Sequence, residues 1–230
     1  MRQRKIKDIE SKLSAYSRFL VADPASRRGV WRNAFSCAGT GDANANSPRG
    51  RSPLYLELGC GKGQFIIECA SRDPNGLYLG FEGSENVLYR ALLRADAADP
   101  ANALFCSVYV LDRDAYFAEA ELSGIYLNFS DPWPKARHEK RRLTSPGYLA
   151  GYGHALEYGG FLHIKTDDDD FFAYSRAGME ALSDFEIVAR TEDLHRSVYA
   201  RENVMTEYER KFLNLNRRIN YLLARKVSVE

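Results

Sequence analysis

A short apolar run leads directly into a glycine-rich turn in the segment Leu54-Tyr-Leu-Glu-Leu-Gly-Cys-Gly-Lys-Gly-Gln-Phe65. The run is typical of a buried strand, and the apolar residues after the turn have helical spacing. The glycines of the turn are Gly59, Gly61 and Gly63. Because glycine accepts positive φ and has no Cβ, a ligand can approach the backbone of such a turn closely. The segment therefore predicts a strand, a turn and a helix with a ligand at the turn.

Two acids and the glycine spacing indicate the kind of ligand. A dinucleotide fingerprint has its last two glycines three residues apart, whereas here they are two apart. Glu57 precedes the turn, where it would repel a pyrophosphate and favour a cation. Glu82 ends the second apolar run, where a carboxylate can accept hydrogen bonds from two ribose hydroxyls. A cationic nucleoside without phosphates fits S-adenosylmethionine, and a plain tight turn with a salt-bridged or helix-capping Glu57 is the alternative.

The rest of the chain continues the alternation of short apolar runs and amphipathic segments. Strands are predicted at residues 54–58, 77–81, 104–110, 125–129, 161–164, 185–190 and 208–213. Helices are predicted at residues 64–70, 84–98, 145–158 and 168–182. Strands that are apolar on both faces and alternate with helices are typical of a mostly parallel sheet covered by helices. The sequence therefore predicts an α/β fold.

Composition and charge exclude several classes of protein. A chain of 230 residues with 45% hydrophobic residues can bury a core in one domain with an appendage. A net charge of +1 predicts no bulk attraction to nucleic acid or to an acidic membrane, so a basic binding face must be local. The four cysteines have no zinc-like spacing, and no signal peptide or membrane anchor is predicted. We therefore expect a cytoplasmic protein with reduced thiols.

The N-terminal part of the chain differs in charge from the rest. Residues 1–32 contain nine Lys or Arg and three Asp or Glu. Residues 36–53 consist largely of Ser, Gly, Ala, Asn and Pro, a composition typical of a flexible linker. We therefore expect a basic arm and linker at residues 1–53 and an α/β domain at residues 54–230.

A proline-containing loop follows the fourth predicted strand, in the segment Ser130-Asp-Pro-Trp-Pro-Lys-Ala-Arg-His-Glu-Lys-Arg-Arg142. Ligands of such sheets lie beyond the carboxyl ends of the strands, so Asp131 is expected at the mouth of the site. Each proline fixes its own φ and restricts the preceding residue, which predicts a stiff loop. Five Lys or Arg between residues 135 and 142 predict a phosphate-binding surface, and a solvated helix face is the alternative.

These segments together resemble the bacterial tRNA (guanine-N7)-methyltransferases. The matching segments, in the order of the family, are Glu57-Leu-Gly-Cys-Gly-Lys-Gly63, Asn128-Phe-Ser-Asp-Pro-Trp-Pro-Lys135, Arg137-His-Glu-Lys-Arg-Arg142, His163-Ile-Lys-Thr-Asp167 and Thr206-Glu-Tyr-Glu209. The resemblance implies a class I S-adenosylmethionine-dependent methyltransferase over residues 54–230. Such a domain has a Rossmann-like, seven-stranded, mostly parallel sheet with the last strand antiparallel and helices on both faces.

The resemblance also implies an activity. A methyl group would pass from S-adenosylmethionine to N7 of guanosine 46 in the variable loop of tRNA. Because N7 carries an in-plane lone pair, no proton has to be removed, and a fixed carboxylate can stabilise the charge that develops on the purine. Methylation of another RNA or of a small molecule is the alternative. We expect tRNA as the partner, no membrane, no metal and no obligatory protein partner, and the chain as a monomer or homodimer.

Roles for individual residues follow from the same resemblance. The cofactor contacts would be Glu57, Gly59, Gly61, Gly63, Glu82, Asp114 and Asp131, with Asp112 as the alternative to Asp114. Asp131 would also be the catalytic residue. The substrate contacts would be Lys135, Asp167, Thr206, Glu207, Tyr208 and Glu209, and the RNA contacts would be Arg137, His138, Glu139, Lys140, Arg141 and Arg142.

Local signals predict two further features of the chain. The acids Asp168, Asp169 and Asp170 are expected to cap the following helix, where the helix dipole favours negative charge. In the predicted last strand, alternation would place Thr206 and Tyr208 on one face and Glu207 and Glu209 on the other.

Overall fold

The computed structural model describes residues 6–35, 52–109 and 115–228. The chain divides into two compact units, and the boundary between them lies between Phe117 and Ala118. The predicted linker lies almost entirely outside the described residues. Asp112 and Asp114, the two candidates for a cofactor contact, also lie outside them. The division into an arm with linker and a domain stays a prediction.

The first unit contains three parallel strands. Its helices and strands are α1 (Ile9–Ser14), α2 (Trp31–Ala34), β1 (Leu54–Leu58), α3 (Gln64–Arg72), β2 (Leu77–Glu82), α4 (Glu85–Ala98) and β3 (Ala103–Ser107). Strand β2 lies between β1 and β3, with Leu56 opposite Leu79 and Leu79 opposite Leu104. These strands are apolar on both faces because helices cover a parallel sheet. The buried stripe of α4 is formed by Leu88, Ala91, Leu92 and Ala95, at helical spacing.

The described part of the basic arm packs on this unit. Trp31 and Phe35 are fully buried, and the Trp31 Nε1–H donates to the Tyr116 carbonyl at 2.7 Å. Leu20 forms a parallel bridge with Phe105 of β3. Indole burial with a satisfied N–H is favourable, so the arm contributes apolar side chains to the core of the unit.

The second unit contains the other four strands. Its strands and α-helices are β4 (Leu122–Asn128), α5 (Pro146–Ala155), β5 (Leu156–Thr166), α6 (Asp169–Glu180), β6 (Phe185–Thr191), α7 (Glu207–Leu213) and β7 (Asn220–Lys226). Short 3₁₀ helices occupy Ala136–Arg141, Leu194–Arg196 and Val198–Glu202. Strand β5 is parallel to β4 and antiparallel to β7, and β7 is antiparallel to β6.

The strands form a seven-stranded sheet in the order β3-β2-β1-β4-β5-β7-β6. Helices α3 to α6 contact its strands. Only β7, the last strand in the chain, runs against the others among the described residues. These observations confirm the predicted α/β fold, with a mostly parallel sheet of seven strands and the last strand antiparallel.

The predicted strand at residues 208–213 is wrong, because this segment is helix α7. Thr206 is its N-cap, and the segment Thr206-Glu-Tyr-Glu209 forms a capping box. The Glu209 amide donates to the Thr206 hydroxyl at 3.0 Å, and the Thr206 amide donates to the Glu209 carboxylate at 3.2 Å. The predicted alternation of Thr206 and Tyr208 against Glu207 and Glu209 is therefore wrong as well.

The seventh strand is β7, which the sequence reading missed. Its side chains at Asn220, Leu222 and Ala224 are buried at alternate positions, as expected of a strand with one face on the core. The predicted helix at residues 145–158 also extends too far. It ends at Ala155, and Leu156 already pairs with Leu122 of β4.

Candidate active site

The glycine-rich turn of the first unit has its backbone open on the side of two glycines. We call residues 59–63 the cofactor turn. Gly59, Gly61 and Gly63 have φ of 75°, 58° and 74°, in the left-handed region that favours glycine. A Cβ built at Gly59 or Gly61 meets nothing within 4 Å, whereas one built at Gly63 lies 3.0 Å from Ala91 and Phe105. Gly63 is thus required for packing, and the other two leave space for a ligand.

Main-chain hydrogen bonds fix the cofactor turn and the acid beside it. The Gly59 amide donates to the Phe81 carbonyl at 2.8 Å. At the end of β2, the Glu82 carboxylate accepts hydrogen bonds from the Gly61 amide at 3.1 Å and the Ser84 amide at 2.7 Å. Glu82 is therefore held in place by its neighbours before any ligand binds.

Negative charge is concentrated at the turn. Glu57 is buried at the end of β1. Burial, and to a smaller extent the charges of Glu57 and Glu82, raise the pKa of the Cys60 thiol well above its ordinary value of 9.0. Cys60 therefore stays a neutral thiol, and the environment of the turn favours a cation over an anion.

A loop with two unusual residues follows β4 in the second unit. We call residues 129–135 the Asp131 loop. Phe129 and Trp133 have φ of 53° and 42°, conformations that cost a non-glycine residue about 1–3 kcal/mol each. The Phe129 amide donates to the Lys165 carbonyl at 2.8 Å, so the turn begins directly at the strand end. Asp131 and Lys135 are exposed in this loop.

Arg142 holds the main chain of the Asp131 loop. Its Nε donates to the carbonyls of Pro132 at 3.1 Å and Trp133 at 3.3 Å, and its Nη2 donates to Trp133 at 3.2 Å. The guanidinium lies 4.3 Å from the ring centroid of Tyr174 in α6. The Tyr174 hydroxyl in turn donates to Glu139 at 2.9 Å.

The predicted RNA-binding residues 137–142, which we call the basic segment, form the 3₁₀ helix Ala136–Arg141 and its C-cap. Arg137, Lys140 and Arg141 are exposed, and the Arg141 guanidinium lies 5.0 Å from the Trp133 ring centroid. His138 packs edge-on against Trp133. The segment therefore contains exposed cations as well as residues that contact the Asp131 loop and α6.

A buried ion pair joins β5 to α7. Lys165 and Glu209 both have fully buried side chains, and their Nζ and Oε2 atoms lie 2.8 Å apart. The Lys165 ammonium also donates to Asn203 Oδ1 at 3.0 Å and to the Val204 carbonyl at 2.8 Å, so all three of its donors are used. Such a pair is tolerated in the interior because each charge is paired and hydrogen-bonded.

The Glu209 carboxylate has several further partners. Oε1 accepts a short hydrogen bond from Asn203 Nδ2 and lies 2.8 Å from His195 Nε2, and Oε2 accepts from the Thr206 amide. The predicted contact of Glu209 with the substrate stays a prediction. The structure assigns this carboxylate an internal role, because it ties β5, the 3₁₀ segments and the start of α7 together.

Three near-parallel aromatic rings link α7 to the Asp131 loop. The Phe129 ring lies 6.2 Å from Tyr208 and 5.7 Å from Phe212, with interplanar angles of 23° and 25°. Tyr208 is 59% exposed, so much of its surface is open to solvent. Glu207 is half-buried on the same helix. Tyr208 and Asp131 therefore lie on segments that the Phe129 ring connects.

The acids after β5 have separate partners. Asp167, a predicted substrate contact, pairs with Arg217 at 2.8 Å. Asp168 is the N-cap of α6 and accepts from the Phe171 amide at 2.7 Å, while Asp169 and Asp170 lie in the first turn. The predicted helix cap is confirmed. Asp169 accepts from Asn220 at 2.7 Å, which connects α6 to β7.

Comparison with known proteins identifies the family. A family model described as "Putative methyltransferase" matches residues 51–222. A tRNA (guanine-N(7)-)-methyltransferase of Geobacillus kaustophilus is 40% identical over 219 residues, which cover 95% of this chain and 94% of the relative. The protein of the same name from Lachnoclostridium phytofermentans is 38% identical over 210 residues, covering 91% and 92%. The chain belongs to the tRNA (guanine-N7)-methyltransferase family.

A solved structure supports the fold of this tRNA (guanine-N7)-methyltransferase family member. The 16S rRNA methyltransferase KamB superposes with a TM-score of 0.59 at 12% sequence identity, covering 82% of this chain and 94% of that one. At this identity the likeness shows the methyltransferase fold alone. None of helices α1 to α7, within the described part of the chain, has the length and hydrophobicity needed to span a bilayer.

The donor set of the cofactor turn fits S-adenosylmethionine, the methyl donor of the family. Gly59 and Gly61 leave an open approach to the backbone, as a ligand in van der Waals contact with it requires. Glu82 presents a prepositioned acceptor that suits ribose hydroxyls, and the negative charge of Glu57 suits a sulfonium. Glu57, Gly59, Gly61 and Glu82 would hold the cofactor.

The sequence reading missed several residues that shape the site. Lys165 lies inside a matched segment, but the resemblance implies no role for it. Asn203 and His195 lie outside the matched segments. The capping box in Thr206-Glu-Tyr-Glu209 is a sequence signal that predicts the start of α7, whereas nothing local indicates that Lys165 reaches Glu209.

Proposed function

We propose that this tRNA (guanine-N7)-methyltransferase family member methylates guanosine 46 in the variable loop of tRNA. The observation that carries the proposal is its identity of 40% with a named tRNA (guanine-N(7)-)-methyltransferase over 95% of the chain. The exposed cations of the basic segment support an RNA substrate, because phosphates are their natural counterpart.

The reaction needs positioning more than proton transfer. When bound, S-adenosylmethionine supplies an electrophilic methyl group on a positively charged sulfur. Guanine N7 has an in-plane lone pair, so no residue of this chain has to act as a general base. Alignment of bound reactants can contribute about 7–11 kcal/mol, which suits a chain whose turn and loop are both rigidly held.

We assign Asp131 the catalytic role. Its carboxylate would stabilise positive charge on the purine as the methyl group is transferred. The strained residues Phe129 and Trp133 on either side support this assignment, because such strain is concentrated at functional sites. Asp131 also stays our proposed cofactor contact, together with Glu57, Gly59, Gly61, Gly63, Glu82 and Asp114.

The remaining roles are proposed on the family match and on exposure. Tyr208 has an exposed ring of the kind on which RNA-binding proteins stack unpaired bases. Lys135, Asp167, Thr206, Glu207 and Glu209 complete the proposed substrate contacts on the family match alone, since Thr206 and Glu209 are buried. Arg137, Lys140 and Arg141 are the exposed cations of the proposed RNA surface. The chain would act in the cytoplasm, as a monomer or homodimer and without an obligatory protein partner.

Methylation of defined tRNA tests the proposal. Purified protein is incubated with labelled S-adenosylmethionine and two transcripts, a tRNA with guanosine at position 46 and the same tRNA with adenosine there. Label in the first transcript alone, with strand cleavage at N7-methylguanosine mapping to position 46, is the expected result. Label at another guanosine would overturn the assigned position, and label on neither transcript would overturn the assigned substrate.

A further inference from the structure

Arg142 differs from the other cations of the basic segment in what its side chain contacts. Its guanidinium is only partly exposed, and it donates to the main-chain carbonyls of Pro132 and Trp133. One face of the guanidinium lies against the ring of Tyr174. The Nε and Nη2 donors and one face of the guanidinium are therefore already occupied. A phosphate contact would need these groups.

The carbonyls that Arg142 contacts belong to the strained part of the Asp131 loop. Trp133 has a φ of 42° although Pro134 follows it, and nothing in the local sequence favours that conformation. A contact from outside the loop has to stabilise it. Arg142 supplies this contact from ten and nine residues further along the chain.

The Tyr174 ring gives the guanidinium a fixed support. Tyr174 lies in α6, and its hydroxyl donates to Glu139 of the basic segment at 2.9 Å. Arginine is suited to this arrangement, since its planar fork can donate to two carbonyls while its face stacks on a ring. A lysine ammonium keeps the charge but cannot do both.

We propose that Arg142 is a positioning residue that holds the Pro132-Trp133 main chain beside Asp131, and that it is not a phosphate contact. The part of the inference that concerns catalysis rests on the proposed function. The part that concerns the loop conformation does not, and it can be measured without tRNA.

The variant that separates the two roles is Arg142→Lys. If Arg142 positions the loop, the variant loses the paired donors of the guanidinium. The rate of single-turnover methyl transfer at saturating tRNA then falls by about 10- to 100-fold, because misplacement of about 1 Å can have an effect of this size. In a second variant, Arg142→Gln, which removes the charge, the salt dependence of tRNA binding stays unchanged, because the guanidinium does not contact a phosphate. The matched variant Lys140→Gln, two residues away and exposed, shows the opposite pattern, with weaker binding and a salt slope reduced by about one.

Tryptophan resonances report the loop directly. The chain has two tryptophans, Trp31 and Trp133, so protein labelled with 5-fluorotryptophan gives two ¹⁹F signals that a Trp133→Phe variant assigns. We expect Arg142→Lys to shift or broaden the Trp133 signal and to leave unchanged the signal of Trp31, which is buried in the first unit. An unchanged midpoint of urea unfolding shows that the second unit of the variant folds as well. A Tyr174→Leu variant, which removes the support, should shift the Trp133 signal in the same way.

Three results would overturn the inference. The first is an unchanged Trp133 signal in Arg142→Lys and in Tyr174→Leu. The second is a shifted signal with a normal single-turnover rate, and the third is a reduced salt slope in an Arg142→Gln variant, which would make Arg142 a phosphate contact. If the wild-type protein methylates no tRNA, the proposed function fails, whereas the ¹⁹F measurement still decides whether Arg142 holds the loop.

Discussion

The cofactor turn of the first unit and the Asp131 loop of the second unit are held by different interactions. In the cofactor turn, hydrogen bonds link segments of β1 and β2 through main-chain groups and the carboxylate of Glu82. The Asp131 loop depends on the side chain of Arg142, and α7 depends on the side chain of Lys165. The cofactor turn is thus held largely through main-chain groups, whereas the loop and α7 depend on particular side chains.

The largest expected effect is a loss of stability when the buried ion pair of the second unit is broken. Lys165→Met leaves the Glu209 carboxylate buried without its charge partner, which should lower the free energy of unfolding by about 3–5 kcal/mol. Urea denaturation measures the loss. The double variant Lys165→Met/Glu209→Gln should recover part of it, because no unpaired charge remains. A single variant as stable as the wild type would show that the pair does not support this unit.

The next effect concerns the chemistry assigned to the loop. Asp131→Asn removes the charge with little change of shape and should lower the single-turnover rate about 100-fold or more. The control is Asp170→Asn, an equal loss of charge at an exposed position in the first turn of α6. An Asp131→Asn enzyme with the wild-type rate while both ligands are bound would contradict the catalytic role.

Two glycine substitutions test packing and ligand binding at the cofactor turn. Gly63→Ala places a Cβ 3.0 Å from Ala91 and Phe105 and should cost about 1–3 kcal/mol of stability through overpacking. Gly61→Ala meets open space, so its stability loss should be limited to about 1–2 kcal/mol of backbone strain. Its main effect is weaker binding of S-adenosylmethionine, measured by calorimetry. Unchanged affinity in Gly61→Ala would mean that the ligand does not approach this backbone.

The smallest expected effect is a pH dependence of stability in the second unit. Burial, and to a smaller extent Lys165, lowers the pKa of His163 well below its ordinary value of 6.5. Below pH 6.5 the unfolded state therefore binds a proton that the folded state does not, so stability falls as the pH decreases, by at most about 1.4 kcal/mol per pH unit.

The variant His163→Phe tests this pH dependence. A phenyl ring can keep the edge contacts with Tyr126 and Tyr221, and it has no proton to bind. Urea unfolding between pH 5 and pH 7 should give a shallower slope for His163→Phe than for the wild type. Equal slopes would show that other groups account for the loss of stability in acid.

The two regions also differ in how far their structure could be predicted. The segment from Leu54 to Phe65 gave the strand, the turn and the helix correctly, because each depends on neighbouring residues and on glycine. In the second unit the reading placed the last strand at residues 208–213, which form α7. The capping box predicts the start of a helix, whereas the apolar residues Phe212 and Leu213 also fit a strand.

The basic segment shows the same limit for function. Its charges predict a common role for Arg137, Lys140, Arg141 and Arg142, since composition does not distinguish one cation from another. In the structure Arg142 differs from the three exposed cations, because its guanidinium donates to main-chain carbonyls of the Asp131 loop. The Tyr174 ring that faces this guanidinium belongs to α6, a separate segment of the chain.

The sequence by itself determined the α/β fold, the cofactor turn with its acids and, through five matched segments, the tRNA (guanine-N7)-methyltransferase family. These features depend on short-range periodicity, on the φ that glycine allows and on residue identity. Only the tertiary structure decided that β7 is the antiparallel strand, that Lys165 pairs with Glu209 and that Arg142 holds the Asp131 loop. The first two rest on contacts between segments distant along the chain, and the third on packing of the guanidinium against the loop and against Tyr174 of α6. Local propensity carries no information about which of these groups will meet.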